Sequence, residues 1–386
     1  MAMRILVLTH EYPPVGGGGG KVAQDLCQGL AARGHAVRVI TARCADLPAR
    51  ETQTGVDILR LDSGRTQLFR ASFKAMLGYV WAAFWTGLRE ARRWKPDLVH
   101  VHFAVPAGAA VWALHLLTRV QYVLTAHLGD VPGGTPEKTG GWFRWIAPLT
   151  PPIWRAAARV VAVSNYTRAL ASARYPVPIQ VINNGVDLTA FDPGSVQPHR
   201  PPRVVFAARF MDQKNPLAVV RSLAAVRDLP WTCTMAGDGP LRAQVEAEIA
   251  RLGLQERFSL PGWVTPEAVR DLFRAGDLLL MPSLQEGLPV VGVQALAAGL
   301  ALVVSDIGGW RDLVQPGRNG ELVPVNNPDG YAAALRAYLG HPDRLRSARA
   351  ASRDLAVNFD LNRIISEYEQ VFEQVTWKAI PPTHSN

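Results

Sequence analysis

The stretch RILVLTHEYPPVGGGGGKVAQDLCQGLAARGHAVRVIT, residues 4–41, contains the pattern that decides the fold. Its first six and last six residues are mostly aliphatic or β-branched, which is typical of short buried strands. Between them lie five glycines, residues 16–20, and a segment from Lys21 to Arg33 that has helical apolar spacing and ends at Gly34. Strand, glycine-rich loop, helix and strand in this order predict the opening of a parallel α/β sheet.

The same alternation continues along the chain and then restarts. Later strand-like runs of the first half are VDILRL, DLVHVHF, QYVLTAH, RVVAVS and IQVINNG. A segment with linker composition follows at 191–203, and after it come VVFAAR, WTCTMAG, RFSLPG, DLLLMPS, ALVVSD and GELVPV. We therefore predict an α/β protein of two Rossmann-like, doubly wound domains, 1–195 and 196–361, facing each other across a ligand cleft. A C-terminal helix at about 362–380, with Ile365, Tyr368 and Phe372 on one stripe, is expected to complete the first domain.

Composition restricts the class of partner. The 386 residues are 48% hydrophobic and 19% charged, which is globular composition, and the formal net charge of +9 favours anionic partners such as nucleotides, phosphates or an anionic membrane. No RNA-binding aromatic signature or zinc-finger spacing occurs, so nucleic acid is not an expected partner. Cys27, Cys44 and Cys233 are far apart and indicate a reducing compartment. We predict a cytoplasmic protein, either free or peripheral at the inner face of the membrane.

One region has the composition of a membrane-contacting surface. Its cations are Arg65, Arg70, Lys74, Arg89, Arg92, Arg93 and Lys95, and its aromatic residues are Phe69, Phe73, Tyr79, Trp81, Phe84 and Trp85. This interleaving predicts weak association with anionic membranes, assisted by the loop GGWFRWIAP at 140–148. The alternative is that the helical stripe of Phe69, Phe73, Met76, Val80, Phe84 and Leu88 faces the core and leaves Trp81 and Trp85 over.

The glycine run fits neither familiar phosphate fingerprint. G-x-G-x-x-G needs glycine where Lys21 or Val22 stands, and the P-loop needs glycine at Val15 and a hydroxyl at Val22. A flexible loop before a helix remains, which either approaches a ligand or is a plain surface loop. His100 and His102 alternate on one strand face, but no third ligand has suitable spacing, so no metal site is expected.

Two stretches of the second domain combine groups that suit a diphosphate. FAARFMDQKNP, 206–216, ends a strand at Arg209 and places Lys214 before a helix, where both cations either hold a diphosphate or are solvated surface residues. QEGLPVVGVQALAAG, 285–299, puts Glu286 in the loop before a short buried helix, with space expected at Gly287 and Gly292. Glu286 is either an acceptor for ligand hydroxyls or a surface residue in a tight turn.

In the first domain, YVLTAHLGD, 122–130, ends in His127 and Asp130, polar groups where such sheets bind ligands. Together these motifs resemble glycosyltransferase family 4, whose members have the two-domain GT-B fold, and the likeness runs the whole length. The motifs in family order are PPVGGGGG, GHAVRV, PDLVHVH, LTAH, AVS, NNGVD, AARFMDQKNP, AGDGPLR, GWV, MPSLQEGLP, ALAAG, SDIGG and GRNGELV.

The resemblance implies roles for particular residues. Arg209 and Lys214 would neutralise the donor diphosphate, and His127 and Glu286 would contact the donor sugar. The remaining donor-binding residues would be Gly18, Gly19, Gly287, Leu288, Pro289, Val290 and Gln294. The family usually has a second glutamate, on the ribose hydroxyls, where this chain has Gln294. An amide offers one neutral acceptor instead of two charged ones, so ribose contact should weaken.

The resemblance also implies the reaction: retaining transfer of a hexose from a UDP- or GDP-linked donor to a hydroxyl of a saccharide, a lipid-linked molecule or a small molecule. No metal or cofactor is expected, in agreement with the lack of a D-x-D motif. Alternatives are a GT-B epimerase or phosphorylase, and a degenerate sugar-nucleotide-binding subunit, which Gln294 suggests. An NAD oxidoreductase is disfavoured because the dinucleotide fingerprint fails.

Overall fold

The computed structural model describes residues 2–44, 46–68, 71–134 and 141–379. The chain forms two compact units: unit 1 contains the residues up to Gly185 and those from Leu361, and unit 2 is Val186–Asp360. The chain passes from unit 1 to unit 2 between residues 185 and 186, ten residues before the predicted domain boundary at 195. The reason is that residues 186–195 bind to unit 2, where the Val186 N–H donates to the Phe359 carbonyl at 2.9 Å.

Unit 1 contains an eight-stranded sheet in the order β3-β4-β2-β1-β5-β6-β7-β8. The strands are β1 Arg4–Leu8, β2 Ala36–Ala42, β3 Arg50–Gln53, β4 Val56–Leu61, β5 Leu98–His102, β6 Tyr122–Ala126, β7 Arg159–Ala162 and β8 Ile179–Val181. All neighbours are parallel except β3, which pairs antiparallel with β4 at the edge. Strand β3 was not predicted because its sequence, RETQ, is polar and mostly exposed and has no apolar alternation.

The helices of unit 1 cover both faces of its sheet. They are α1 Gly18–Ala32, α2 Phe73–Arg93, α3 Ala107–Thr118, α4 Trp142–Ile146, α5 Pro151–Ala156, α6 Asn165–Arg174 and, from the far end of the chain, α13 Leu361–Ala379. Ile365, Tyr368 and Phe372 of α13 are buried as predicted. A Cβ atom at Gly29 of α1 would lie 2.1 Å from Cδ1 of Ile365, so α13 packs directly on the α1 backbone.

Unit 2 contains a parallel six-stranded sheet in the order β11-β10-β9-β12-β13-β14. The strands are β9 Arg203–Ala207, β10 Thr232–Ala236, β11 Phe258–Gly262, β12 Leu278–Met281, β13 Ala301–Ser305 and β14 Gly320–Val323. The helices are α7 Pro216–Ala224, α8 Arg242–Arg251, α9 Pro266–Arg274, α10 Val290–Ala297, α11 Pro328–Leu339 and α12 Pro342–Ala356. The prediction of two doubly wound α/β domains is confirmed.

Each sheet has one point where the strand order reverses. In unit 1 it lies between β1 and β5, and in unit 2 between β9 and β12. Loops that leave two such neighbouring strands turn to opposite sides, which opens a crevice at the carboxyl ends of the strands. Ligand-binding side chains are therefore expected in the loops after β1 and β5 and in those after β9 and β12.

A buried ion pair holds the proline-rich segment of residues 191–203 to unit 2. Asp277, just before β12, and Arg349, on α12, are ion-paired and fully buried. The carboxylate of Asp277 also accepts from the Arg203 N–H at 2.7 Å and the His199 N–H at 3.2 Å. Arg349 Nη1 donates to the Gln197 carbonyl at 2.9 Å. The second half of the predicted linker is thus fixed to the core.

Helix α2 turns part of the predicted stripe to the core: Leu88 belongs to the core, and Val80 and Phe84 pack against it. Its buried residues are Ala75, Tyr79, Ala83, Gly87, Leu88 and Glu90, whereas Phe73 is 44% exposed. The helix backbone lies close to the segment after β4: a Cβ atom at Gly78 would lie 2.6 Å from the Ser63 carbonyl oxygen. The alternative that leaves Trp81 and Trp85 exposed is thus confirmed for the C-terminal part of the stripe and wrong at Phe73.

Two members of the predicted membrane region are buried. Arg65 donates to the carbonyls of His10, Gln67 and Leu68, and the Tyr79 hydroxyl donates to the Ile40 carbonyl at 3.0 Å. Phe69 and Arg70 lie outside the described residues. Of the helices that the structure describes, none is both long enough and apolar enough to cross a bilayer.

Candidate functional site

In unit 2, the loops after β9 and β12 bring Lys214 and Glu286 into contact at the point where the strand order reverses. Lys214 Nζ lies 2.5 Å from Glu286 Oε1, and the two side chains are 19% and 7% exposed. Two residues that the sequence predicted to act on the diphosphate and on the sugar thus form one ion pair. A nearly buried pair of this kind presents a fixed cation and a fixed acceptor side by side.

Gln213, which the sequence analysis missed, joins the two loops beside this pair. Its side-chain Nε2 donates to the Gln285 backbone carbonyl at 3.0 Å, and its backbone carbonyl accepts from the Leu284 N–H at 2.8 Å. The residue is 4% exposed, so both hydrogen bonds are shielded from water. The sequence feature that could have indicated a role for Gln213 is its position directly before Lys214.

The loop that carries Glu286 is held from its other side by Gly309. The Gly309 N–H donates to the Glu286 carbonyl at 3.2 Å, and a Cβ atom at Gly309 would lie 1.6 Å from the Gly287 carbonyl oxygen. Only glycine fits there, which accounts for the SDIGG motif. Pro289, preceded by the buried Leu288, is the N-cap of α10, and the helix begins at Val290.

The space expected at Gly292 is filled by protein. A Cβ atom there would lie 2.5 Å from Cζ3 of Trp310, so this glycine admits the indole and not a ligand, and the prediction was wrong at this position. Gln294, on the same helix, is partly exposed, and its amide makes no hydrogen bond to another described residue. Arg209 follows β9 and is also partly buried.

In unit 1, the start of α1 differs from the predicted flexible loop. The helix begins at Gly18 instead of Lys21, so Gly18 and Gly19 form its first turn. The Gly17 N–H donates to Glu11 Oε2 at 3.0 Å, which places a carboxylate of the chain itself at the helix start. A Cβ atom at Gly19 would lie 2.5 Å from Cζ of Phe103, so Gly19 makes room for that ring.

Phe103, which follows β5, packs between Gly19 of α1 and His127, which follows β6. Phe103 has a left-handed backbone (φ +72°), and its ring stacks on the His127 imidazole at a centroid distance of 4.4 Å. His10 meets the same phenyl ring edge-on at 4.8 Å. His10 and Phe103 were not predicted, although Phe103 directly follows β5 and His10 lies two residues after β1, the strands at the reversal point.

His127 belongs to a buried group of uncharged histidines. Its Nε2 lies 3.2 Å from His102 Nδ1, and the His100 Nε2 lies 2.8 Å from the Thr125 hydroxyl. Burial lowers the pKa of His127 and of His10 to about 4 and that of His100 to about 3, so all three are neutral at pH 7. Within the described ranges, no three His, Cys, Asp or Glu side chains are arranged to hold a metal ion.

Asp130, predicted to point toward a ligand, clamps the loops instead. One carboxylate oxygen accepts from the His127 N–H at 2.8 Å and the other from the Ala104 N–H. The residue is 1% exposed, and burial raises its carboxyl pKa to about 7. Asp130 therefore fixes the backbone of His127 relative to the segment after β5.

Comparisons with known proteins identify the family of the chain. The family model described as "Glycosyltransferase Family 4" matches residues 16–190, and that described as "Glycosyl transferases group 1" matches residues 201–341. The D-inositol 3-phosphate glycosyltransferase of Rhodococcus erythropolis is 30% identical over 92% of this chain and 88% of its own length. The GDP-mannose:cellobiosyl-diphosphopolyprenol alpha-mannosyltransferase of Komagataeibacter xylinus is 25% identical over 98% and 95%.

A solved structure supports the fold independently. The sucrose-phosphate synthase of Thermosynechococcus elongatus superimposes with a TM-score of 0.85 at 21% identity, covering 98% of this chain and 100% of that one. Two doubly wound sheets and the family-model matches over residues 16–190 and 201–341 lead to the same assignment. The chain belongs to glycosyltransferase family 4 and has the GT-B fold.

Proposed function

We propose that the protein transfers a hexosyl group from a UDP- or GDP-linked sugar to an acceptor hydroxyl, with retention of anomeric configuration and without a metal ion. The observation that carries this proposal is the Lys214–Glu286 ion pair at the reversal point of the unit 2 sheet. It combines a cation for phosphate oxygens with an anion for sugar hydroxyls within one rigid contact.

The proposed driving force is electrostatic. Negative charge grows on the diphosphate as the bond from its oxygen to the anomeric carbon breaks. Lys214 keeps N–H donors to spare beyond the one on Glu286, Arg209 lies in the same loop, and the start of α10 contributes its dipole. Fixed charges and dipoles of this kind stabilise a leaving group without a metal.

The acceptor hydroxyl is proposed to attack the anomeric carbon from the face that the diphosphate leaves. The new glycosidic bond forms as the old bond breaks, and the hydroxyl proton passes to a leaving phosphate oxygen. Glu286 and neutral His127 are proposed to orient the sugar hydroxyls, and no protein nucleophile is required. The low pKa of His127 suits this role because an uncharged imidazole hydrogen-bonds a hydroxyl without a competing charge.

The acceptor is proposed to be a saccharide, a lipid-linked molecule or a small molecule. The relative from Komagataeibacter xylinus is named for a diphosphopolyprenol acceptor, which supports the lipid-linked class. We propose a cytoplasmic site of action, with weak contact to the anionic inner face of the membrane. All three cysteines are free and buried, as suits a reducing compartment.

The reaction is tested by turnover with a panel of nucleotide sugars and with saccharide and polyprenyl acceptors. We expect release of the free nucleoside diphosphate together with a product whose anomeric configuration, read by NMR, equals that of the donor. Activity should persist in excess EDTA, because the cations Lys214 and Arg209 take the place of a metal. Loss of activity on chelation that magnesium or manganese restores would contradict metal independence, and an inverted product would contradict retention.

A separate prediction concerns Gln294. The Gln294→Glu variant should bind the donor about fivefold more tightly, since a carboxylate accepts from both ribose hydroxyls where the amide offers one oxygen. Calorimetric titration with the nucleoside diphosphate measures this change, and Gln294→Leu serves as the matched control that should weaken binding. Unchanged affinity in both variants would show that Gln294 has no contact with the nucleotide.

A further inference from the structure

We infer that helix α2 carries a docking surface for an anionic lipid bilayer. Four large apolar side chains, Phe73, Leu77, Trp81 and Trp85, follow one another at intervals of four residues. Their exposed fractions are 44%, 54%, 68% and 51%. Residues four apart are neighbours on a helix, so these side chains form one continuous surface, here called the α2 outer face.

Helix α2 is anchored to unit 1 mainly by residues outside the α2 outer face. The anchors are the Tyr79 hydroxyl on the Ile40 carbonyl and the side chains of Ala83 and Leu88 in the core. Trp81 and Trp85 contact each other edge-to-face, with ring centroids 5.7 Å apart, and remain open to solvent. A contiguous exposed cluster of large apolar side chains is typical of an interaction surface.

The charged residues of α2 indicate which kind of partner binds the α2 outer face. The exposed charged residues of α2 are Lys74, Arg89, Arg92 and Arg93, all cations. The helix has one acidic residue, Glu90, which is buried and held by Arg38 Nη1 at 2.6 Å. A surface of tryptophans and cations without an exposed acid matches the interface of an anionic bilayer, where indoles settle among headgroups and cations approach acidic lipids.

A second copy of this chain fits the same surface poorly. In a two-fold dimer the same patch faces itself, so the cations of one α2 would lie against those of the other without an acid to pair with. Helix α2 packs on α3 through buried residues, since a Cβ atom at Gly87 would lie 3.3 Å from Leu114. Helix α3 also carries exposed leucines, Leu116 and Leu117, which are 48% and 65% exposed.

Flotation of the full chain with phosphatidylcholine vesicles, with and without phosphatidylglycerol, tests the inference. The native protein should float with the acidic vesicles and be released by salt. The Trp81→Ala/Trp85→Ala variant should partition roughly tenfold less, and the Arg89→Ala/Arg92→Ala/Arg93→Ala variant roughly 100-fold less to acidic vesicles. Trp263→Ala, which removes a 54% exposed indole from unit 2, is the matched control and should float like the native protein.

Flotation that is equal on neutral and acidic vesicles, or a tryptophan pair variant that binds like the Trp263→Ala control, would overturn the inference. So would a dimer in sedimentation that the tryptophan pair variant dissociates without any effect on lipid binding, since the occupant would then be a second copy. Unchanged circular dichroism establishes that the variants are folded. The α2 outer face contains no residue of the proposed donor site. Loss of vesicle binding would therefore contradict this inference without contradicting the proposed reaction, and the reverse holds for loss of turnover.

Discussion

Replacing Lys214 or Glu286 by alanine is expected to lower kcat by roughly 10²–10³-fold, the usual cost of removing one preorganised contact to a transition state. Lys214→Ala removes charge stabilisation of the departing diphosphate. Glu286→Ala removes the acceptor for the sugar hydroxyls and releases the lysine that it holds at 2.5 Å. Steady-state kinetics with the donor varied, and thermal unfolding as the check on folding, measure the effect.

Because the two side chains contact each other, their effects should not add. The double variant is expected to lose little more than the worse single variant, since each change already breaks the shared ion pair. Arg336→Ala, which breaks an exposed ion pair with Asp228 in the same unit, is the matched control and should retain native turnover. Native turnover in both Lys214→Ala and Glu286→Ala would remove these residues from the proposed mechanism.

Asp277→Ala is expected to lower the free energy of unfolding by about 3–5 kcal/mol, because it leaves the guanidinium of Arg349 buried without its anion. Both side chains are fully buried, and the same carboxylate also accepts the N–H groups of Arg203 and His199. Urea titration followed by circular dichroism measures the change. Asp277→Asn keeps an oxygen for the backbone donors and should lose less.

The matched control for this prediction is Asp228→Ala, which breaks the exposed ion pair with Arg336. Surface pairs in water contribute little, so no measurable change in the unfolding transition is expected. If Asp277→Ala and Asp228→Ala shifted the transition equally, burial of the Asp277–Arg349 pair would have no energetic consequence and the assignment of this contact as an anchor would be wrong.

Local patterns of the sequence predicted the strands well because buried parallel strands are continuous aliphatic runs. The exception was β3, an edge strand whose residues face solvent and have no reason to be apolar. The start of α1 was placed late because glycine is a poor helix former. In the structure, the carboxylate of Glu11 at the helix start and the Phe103 ring against Gly19 compensate for that propensity.

Contacts between distant segments were the part that local patterns did not contain. The sequence singled out Lys214 and Glu286 separately, but their pairing depends on β9 and β12 being neighbours, which is a property of strand order. In the same way, the space at Gly292 was assigned to a ligand because Trp310, which fills it, lies on another segment. The sequence alone indicated which residues belong to the candidate site, whereas the side chains that contact them could be identified only from the fold.

The return of α13 to unit 1 has a consequence for how the protein is made. A Cβ atom at Gly185 would lie 2.9 Å from the Leu361 Cα, so the chain leaves unit 1 and re-enters it at one place, with unit 2 inserted between. On the ribosome, all of unit 2 therefore emerges before the helix that covers α1 is synthesised. Unit 1, although it begins first, acquires its complete core last, and during translation its uncovered apolar side is the surface that a chaperone would meet.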